Sequence, residues 1–110
     1  MDLEDLLIEQ IARLGLIRFS KSFGWICIFI EHNLFAGYKV IDNNILLLWV
    51  ILSPEAFKKA LEEDFEKFDF GKTWAIREIT SEEDLPRIFP FIRNAFEYSK
   101  TRIKLKSLKL

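Results

Sequence analysis

Between Phe23 and Leu52 the chain carries three apolar runs, FGWICIFIE, LFAGYKVI and ILLLWVIL, separated by His32-Asn33 and by Asp42-Asn43-Asn44. Each run has the length of a strand and is rich in β-branched and aromatic residues, and the breaks consist of residue types that accept turn geometry. The pattern predicts two consecutive hairpins, an antiparallel meander, with Asn43-Asn44 as a two-residue turn. The runs lack the apolar–polar alternation of a sheet with one wet face. Trp25, Cys27 and Phe29 oppose Ile26, Ile28 and Ile30, and Ile45, Leu47, Trp49 and Ile51 oppose Leu46, Leu48, Val50 and Leu52. Both faces of the sheet are therefore expected to be dry.

The flanks have helical period. Leu3, Leu6, Leu7, Ile11 and Leu14 recur at three- and four-residue spacing behind acids in the first turn, which predicts a helix over Asp2 to Leu14 with Gly15 as its stop. Leu16 to Ser22 reads as a basic connector. Ser53-Pro54-Glu55 is a helix start, with Ser as cap and Pro in the first turn, and Phe57, Ala60, Leu61, Phe65 and Phe68 predict a buried stripe down a second helix. Gly71 breaks the chain. Thr73 to Thr80 reads as a fourth strand, and Arg77 and Glu78 mark it as an edge. Thr80-Ser81-Glu82-Glu83-Asp84 is a capping box that opens a third helix, with Pro90 expected to kink or restart it. Arg102-Ile103-Lys104-Leu105-Lys106 alternates, which suits an extended tail. The expected fold is α+β, in the order α-β-β-β-α-β-α: a four-stranded antiparallel sheet, a meander plus one strand, with three helices on one face. Residues 1–99 form the single domain and 100–110 a basic tail.

Composition sharpens one point. At 110 residues with 50% hydrophobic and 15% aromatic content, the chain has more apolar surface than one sheet and three helices can hide. A homodimer joined through the sheet is the expected solution, with Trp25, Cys27, Phe29, Tyr38, Trp49 and Ile51 as candidate interface residues and either face open as the interface. The longest apolar run, Ile45 to Leu52, is far short of the roughly 18–20 residues needed to span a bilayer. With acids at Asp2, Glu4 and Asp5 in place of a basic leader, the expectation is a cytoplasmic protein without membrane contact.

The formal net charge is −1, so there is no global attraction to nucleic acid. The charges are unevenly spread: Lys100, Arg102, Lys104, Lys106 and Lys109 form a basic block, a candidate contact for nucleic acid or an acidic protein partner. Glu62, Glu63 and Glu66, on the expected wet face of the second helix, are the candidates for weak metal binding, since hard cations take clustered carboxylates. His32 is the only histidine and Cys27 the only cysteine. No zinc set, nucleophile–base pair or glycine-rich phosphate loop can be assembled, so no enzymatic activity and no cofactor are expected.

The stretch Phe70 to Tyr98, FGKTWAIREITSEEDLPRIFPFIRNAFEY, resembles the end of a domain family described as of unknown function or as a predicted transport protein and found beside nuclease-like domains. The matching positions are Trp74, Ile79, Ser81, Glu83, Asp84, Leu85, Ile92, Ala95 and Phe96, the last standing where the family usually has Tyr. Upstream, the hairpins followed by a Pro-Glu helix are similar to the wider YdhG/YjbR/TfoX-like group of small α+β domains. The resemblance implies a fold, and its branches include frataxin-like iron carriers and DNA-associated proteins. Three functions are thus expected in turn: a self-associating interaction module, a weak iron carrier, and a nucleic-acid-associated protein acting through the tail.

Overall fold

Asp2 adopts extended backbone and its carboxylate accepts the Asp5 N–H at 2.9 Å, so the first helix begins where the acids favour it. The computed structural model describes the backbone of residues 2–42 and 44–108, and side chains of the last helix as far as Arg102. The predicted Asn43-Asn44 turn therefore lies partly outside the described residues. The elements run α1 (Leu3–Ala12), β1 (Arg18–Ser22), β2 (Trp25–Ile30), β3 (Asn33–Asp42), β4 (Ile45–Ile51), α2 (Pro54–Leu61), β5 (Glu66–Lys67), β6 (Trp74–Ile79), a 3₁₀ turn (Glu82–Asp84) and α3 (Leu85–Leu108). All strand pairs are antiparallel, in the order β1-β2-β3-β4-β6-β5.

The α+β class, the antiparallel sheet and the three helices are as expected; the strand number and order are not. Six strands are present among the described residues where four were expected. β1 was read as a connector because an edge strand exposed on both sides needs no apolar alternation: Arg18, Phe19, Lys21 and Ser22 are all exposed, and backbone pairing to β2 alone defines it. β5 was read as the continuation of α2. That helix instead ends at Leu61, and Asp64 turns the chain with a φ of +68°, after which Glu66 and Lys67 pair with β6. β6 is therefore covered by a two-residue strand and is not the sheet edge. Finally, the alternating tail is helical: α3 continues through Pro90 to Leu108. Pro90 has no N–H for the carbonyl of Pro86, a single lost bond that packing on both sides of it tolerates.

The helices share one face of the sheet. Leu3, Leu7 and Ile11 of α1 and Ile88, Ile92, Ala95 and Phe96 of α3 are buried against Ile28, Ala36, Tyr38, Leu46, Leu48, Val50, Ala75 and Ile79. Polar ties fix this layer. The Tyr38 hydroxyl donates to Glu4 Oε2 at 2.7 Å and so pins α1. Asn94 of α3 accepts the Ser53 N–H at 3.0 Å and donates to the Ser53 hydroxyl at 3.2 Å, joining α3 to the start of α2. Arg77, only 7% exposed, points into the same layer and meets Asp84 at 3.2 Å and Asp64 at 3.9 Å. Its charge had marked the strand as an edge. The side chain is inward because Asp84, held by the N–H groups of Thr80 and Ser81 in the capping turn, waits above it.

Two outcomes follow from these ties. Tyr38→Phe should lower stability by about 1.5 kcal/mol, the usual worth of a hydrogen bond to a charged acceptor, read from equilibrium urea unfolding. For Asp84, burial raises the carboxyl pKa, but the Thr80 N–H, the Arg77 guanidinium and the Ser81 N–H outweigh it and hold the group below the usual carboxylate range. A depressed folded-state pKa stabilises the fold above the unfolded value of about 4, and the contribution is lost as pH falls through the folded one. Asp84→Asn should therefore be less stable than the natural chain by about 1.5–3 kcal/mol at pH 7, with the gap closing below about pH 4.

Candidate functional site

Among the described residues no helix lies on the second face of the sheet, and its register determines what stands there. Cys27, Gly37, Trp49 and Ile76 lie in one row across β2, β3, β4 and β6. An added Cβ at Gly37 would sit 2.3 Å from the Trp49 ring, so the indole lies flat over the glycine backbone in a space that only this residue leaves open. From there the aromatic layer spreads. Trp49 stacks on Trp74 with ring centroids 4.8 Å apart and an interplanar angle of 17°, and Trp25 meets Trp49 edge-on at 6.4 Å. Phe68 lies 6.1–6.4 Å from all three tryptophans, and Phe70 stands 4.8 Å from Phe68. These are the offset and edge geometries that aromatic quadrupoles favour.

Both phenylalanines come from the segment after Asp64, which runs antiparallel beside β6: the Phe68 N–H donates to the Trp74 carbonyl at 2.8 Å. The layer is one side chain thick and incomplete. A cleft of about 440 Å³ opens in it, walled by Phe23, Trp25, Phe68, Phe70 and Trp74, with Cys27 and Trp49 beneath; Ser22 contributes the one polar side chain of its lining. Its size and apolar walls match those of binding clefts. Phe23 at 99% and Phe70 at 72% exposure are its lips. Burial raises the pKa of the Cys27 thiol, so it remains protonated and unreactive at neutral pH.

Of the six sequence candidates, Trp25, Cys27, Trp49 and Ile51 belong to this face. Trp49 and Ile51 are already 4% and 6% exposed within the protomer, so the bare surface is smaller than the two-sided pattern implied. Phe29 lies under the Arg18 guanidinium, 4.3 Å from its ring centre. Tyr38 must be removed from the set. It pairs with Ile26 and Leu48, points to the helices and is 2% exposed. Parity within a strand gives relative facing only, and cross-strand register, which the sequence does not show, decided the matter. Trp74, Phe68, Phe70 and Phe23 were missed as site residues. The alternation Phe68-Asp69-Phe70 before Gly71 was the available signal that the helical stripe had ended.

The charged candidates are dispersed. Glu62 and Glu63 lie in the turn after α2, and Glu66 is in β5, so no acidic helix face carries them together. Among the described residues no group of three or more His, Cys, Asp or Glu side chains is arranged to hold a metal ion. In the tail, Lys100 pairs with Glu97 at 3.7 Å and lies over the Phe96 ring, while Arg102 donates to the Leu34 carbonyl at 3.1 Å. The side chains of Lys104 and Lys106, and all of Lys109, lie outside the described residues. His32 is exposed in the Glu31-His32 turn. No described helix is long and apolar enough to cross a membrane.

No protein-family model matches the chain, and no curated protein matches it.

Gly37→Ala should force the Trp49 indole off the sheet and lower stability by about 1–3 kcal/mol, as overpacking does. The same variant should shift tryptophan emission to the red as the stacked layer opens to water, which separates a displaced indole from a simple loss of folding.

Proposed function

We propose that this protein is a non-enzymatic interaction module that self-associates as a homodimer through the aromatic face of its sheet. The observation that carries the reading is the apolar cleft between Phe23 and Phe70, a contiguous aromatic surface with no helix over it. Monomers rarely keep such a patch uncovered.

A second copy is favoured as the occupant by the charges beside the cleft. Lys39, Leu47 and Glu78 form one row across β3, β4 and β6, with the lysine and the glutamate both exposed. A two-fold axis along β4 sets each Lys39 against the partner's Glu78, so the face is complementary to itself. Exposed pairs of this kind contribute at most about 1 kcal/mol; their effect is to select orientation. Phe23, Phe70 and the exposed parts of Trp25 and Trp74 offer on the order of 500 Å² per protomer, below the ~800 Å² of a standard interface. The dimer is accordingly weak and concentration-dependent. The resemblance of Phe70 to Tyr98 to a domain family of unknown function is compatible with this reading, since that run supplies Phe70 and Trp74.

Light scattering across the micromolar range should show mass rising from 13.1 kDa toward twice that value. Phe70→Asp should hold the chain monomeric, whereas Leu16→Asp, at a position 94% exposed outside the cleft, should not. Lys39→Glu should weaken association and Lys39→Glu with Glu78→Lys should restore it. A single monomeric species at millimolar concentration would refute self-association.

A further inference from the structure

The exposed aromatic surface is less than a standard interface buries, whereas the cleft within it, of about 440 Å³, has the volume of a site for one small molecule. Rings wall it, and no charged side chain lines it. A charge nevertheless stands beside it. Ile26 pairs with Tyr38, which places Lys39 across from Trp25, and the Lys39 ammonium lies 5.7 Å from the centre of that ring, itself a wall of the cleft. Phe23 is the second irregularity. It takes φ +52° in the turn between β1 and β2, followed by Gly24 at φ +81°, and a bulky aromatic with such a φ is a backbone outlier. Its ring is 99% exposed although it borders the opening. Strain of this kind concentrates at ligand clamps.

From these features we infer that the cleft binds a flat aromatic carboxylate of low molecular weight, its ring between the Trp25, Phe70 and Trp74 side chains and its carboxylate at the mouth on the Lys39 ammonium. The inference does not rest on self-association, and the two compete for one face. The walls favour a flat ring because offset and edge contacts between rings add to plain burial. They do not favour an anion inside, since ring faces carry negative charge and an unpaired carboxylate is costly to bury. The charged end therefore stays at the mouth, where Lys39 is exposed on a flexible stem. A cationic ligand, which ring faces alone would attract, meets the ammonium already over Trp25 and is repelled. A protein terminus is disfavoured as well, because an entering backbone would find only the Ser22 side chain to bond its N–H and C=O groups. Phe23 closes the site. It borders the opening, and its left-handed backbone holds the ring where a side-chain rotation lays it over the guest.

Isothermal titration with naphthoate, on the full chain at a concentration where light scattering reads 13.1 kDa, should show one molecule bound per chain. The emission of the three tryptophans, all on this face, should change with it. Naphthylmethylammonium and decanoate should each bind at least about tenfold more weakly. Lys39→Gln should raise the naphthoate dissociation constant roughly fivefold, the upper worth of an exposed ion pair, and remove its salt dependence. Phe23→Asn suits the turn better than phenylalanine and so leaves folding intact. Its thermal midpoint should equal or exceed that of the natural chain, while the naphthoate constant rises about fivefold. Equal binding of the ammonium compound, or an unchanged constant in Lys39→Gln, overturns the anion. Equal binding of decanoate overturns the aromatic guest, and an unchanged constant in Phe23→Asn overturns the lid. A chain that dimerises but binds no naphthoate keeps self-association and loses the site. A chain that binds naphthoate yet stays monomeric at every concentration keeps the site and loses self-association.

Discussion

The structure depends on a strand that must be dry on both sides. β4 sends Leu46, Leu48 and Val50 toward the helices and Trp49 and Ile51 the other way, all of them buried. A strand of this kind is usual in sheets sandwiched between two helical layers. Here α1, α2 and α3 share one face, so the second face has to be closed by side chains alone. Trp49 laid over Gly37 and stacked on Trp74, with Trp25 edge-on to it and Phe68 in ring contact with all three, takes the place of a second layer. A cover one side chain thick cannot be seamless, and the cleft is the gap it leaves.

The two faces are held by different forces, and this separates their roles. On the helical face, Tyr38 with Glu4, Ser53 with Asn94 and Arg77 with Asp84 give directional ties that fix each helix in one register. The aromatic face has none: its contacts are ring on ring, non-directional beyond offset and tilt. A surface without polar ties can accept an aromatic side chain from outside by exchanging one ring contact for another. The Lys39 ammonium lies over the Trp25 ring, 5.7 Å from its centre, a cation–π contact with the layer.

Much of the scaffold could be read from the sequence because local signals agreed with the tertiary outcome. Ser53-Pro54 starts a helix by its own chemistry, the Ser81–Asp84 box caps the next element, and the uninterrupted apolar runs at Trp25–Ile30 and Ile45–Ile51 are strands, the second of them covered on both faces. The failures have one source, pairing at a distance. β1 exists because β2 needs a neighbour, and β5 because β6 does; neither carries an internal pattern. Asp64 ends the α2 region through a positive φ that its residue type permits but does not demand. The tail alternates, yet Arg102 docks on the Leu34 carbonyl and α3 runs on past it, so packing overrode period. At the site, Trp25 and Trp49 were visible as large side chains on one face, whereas the glycine beneath Trp49 and the return of Phe68 depend on register.

The burial of Trp49 and Ile51 also decides what kind of association the face can support. Obligate dimers resemble a core cut in half, with the central residues of each half exposed until the partner arrives. In this chain the central Trp49 and Ile51 are covered within the protomer, while Phe23 and Phe70 stand in water and Trp25 and Trp74 are half-buried. A second copy would therefore dock on a finished fold and contribute the burial of a few aromatic rings. At roughly 25 cal/mol per Å², about 500 Å² from each side gives on the order of 25 kcal/mol of gross apolar gain. Against it stand lost translational and rotational freedom and the ordering of rim side chains, which together remove most of that sum. Any association through this face would therefore be set by protein concentration and would not be obligate.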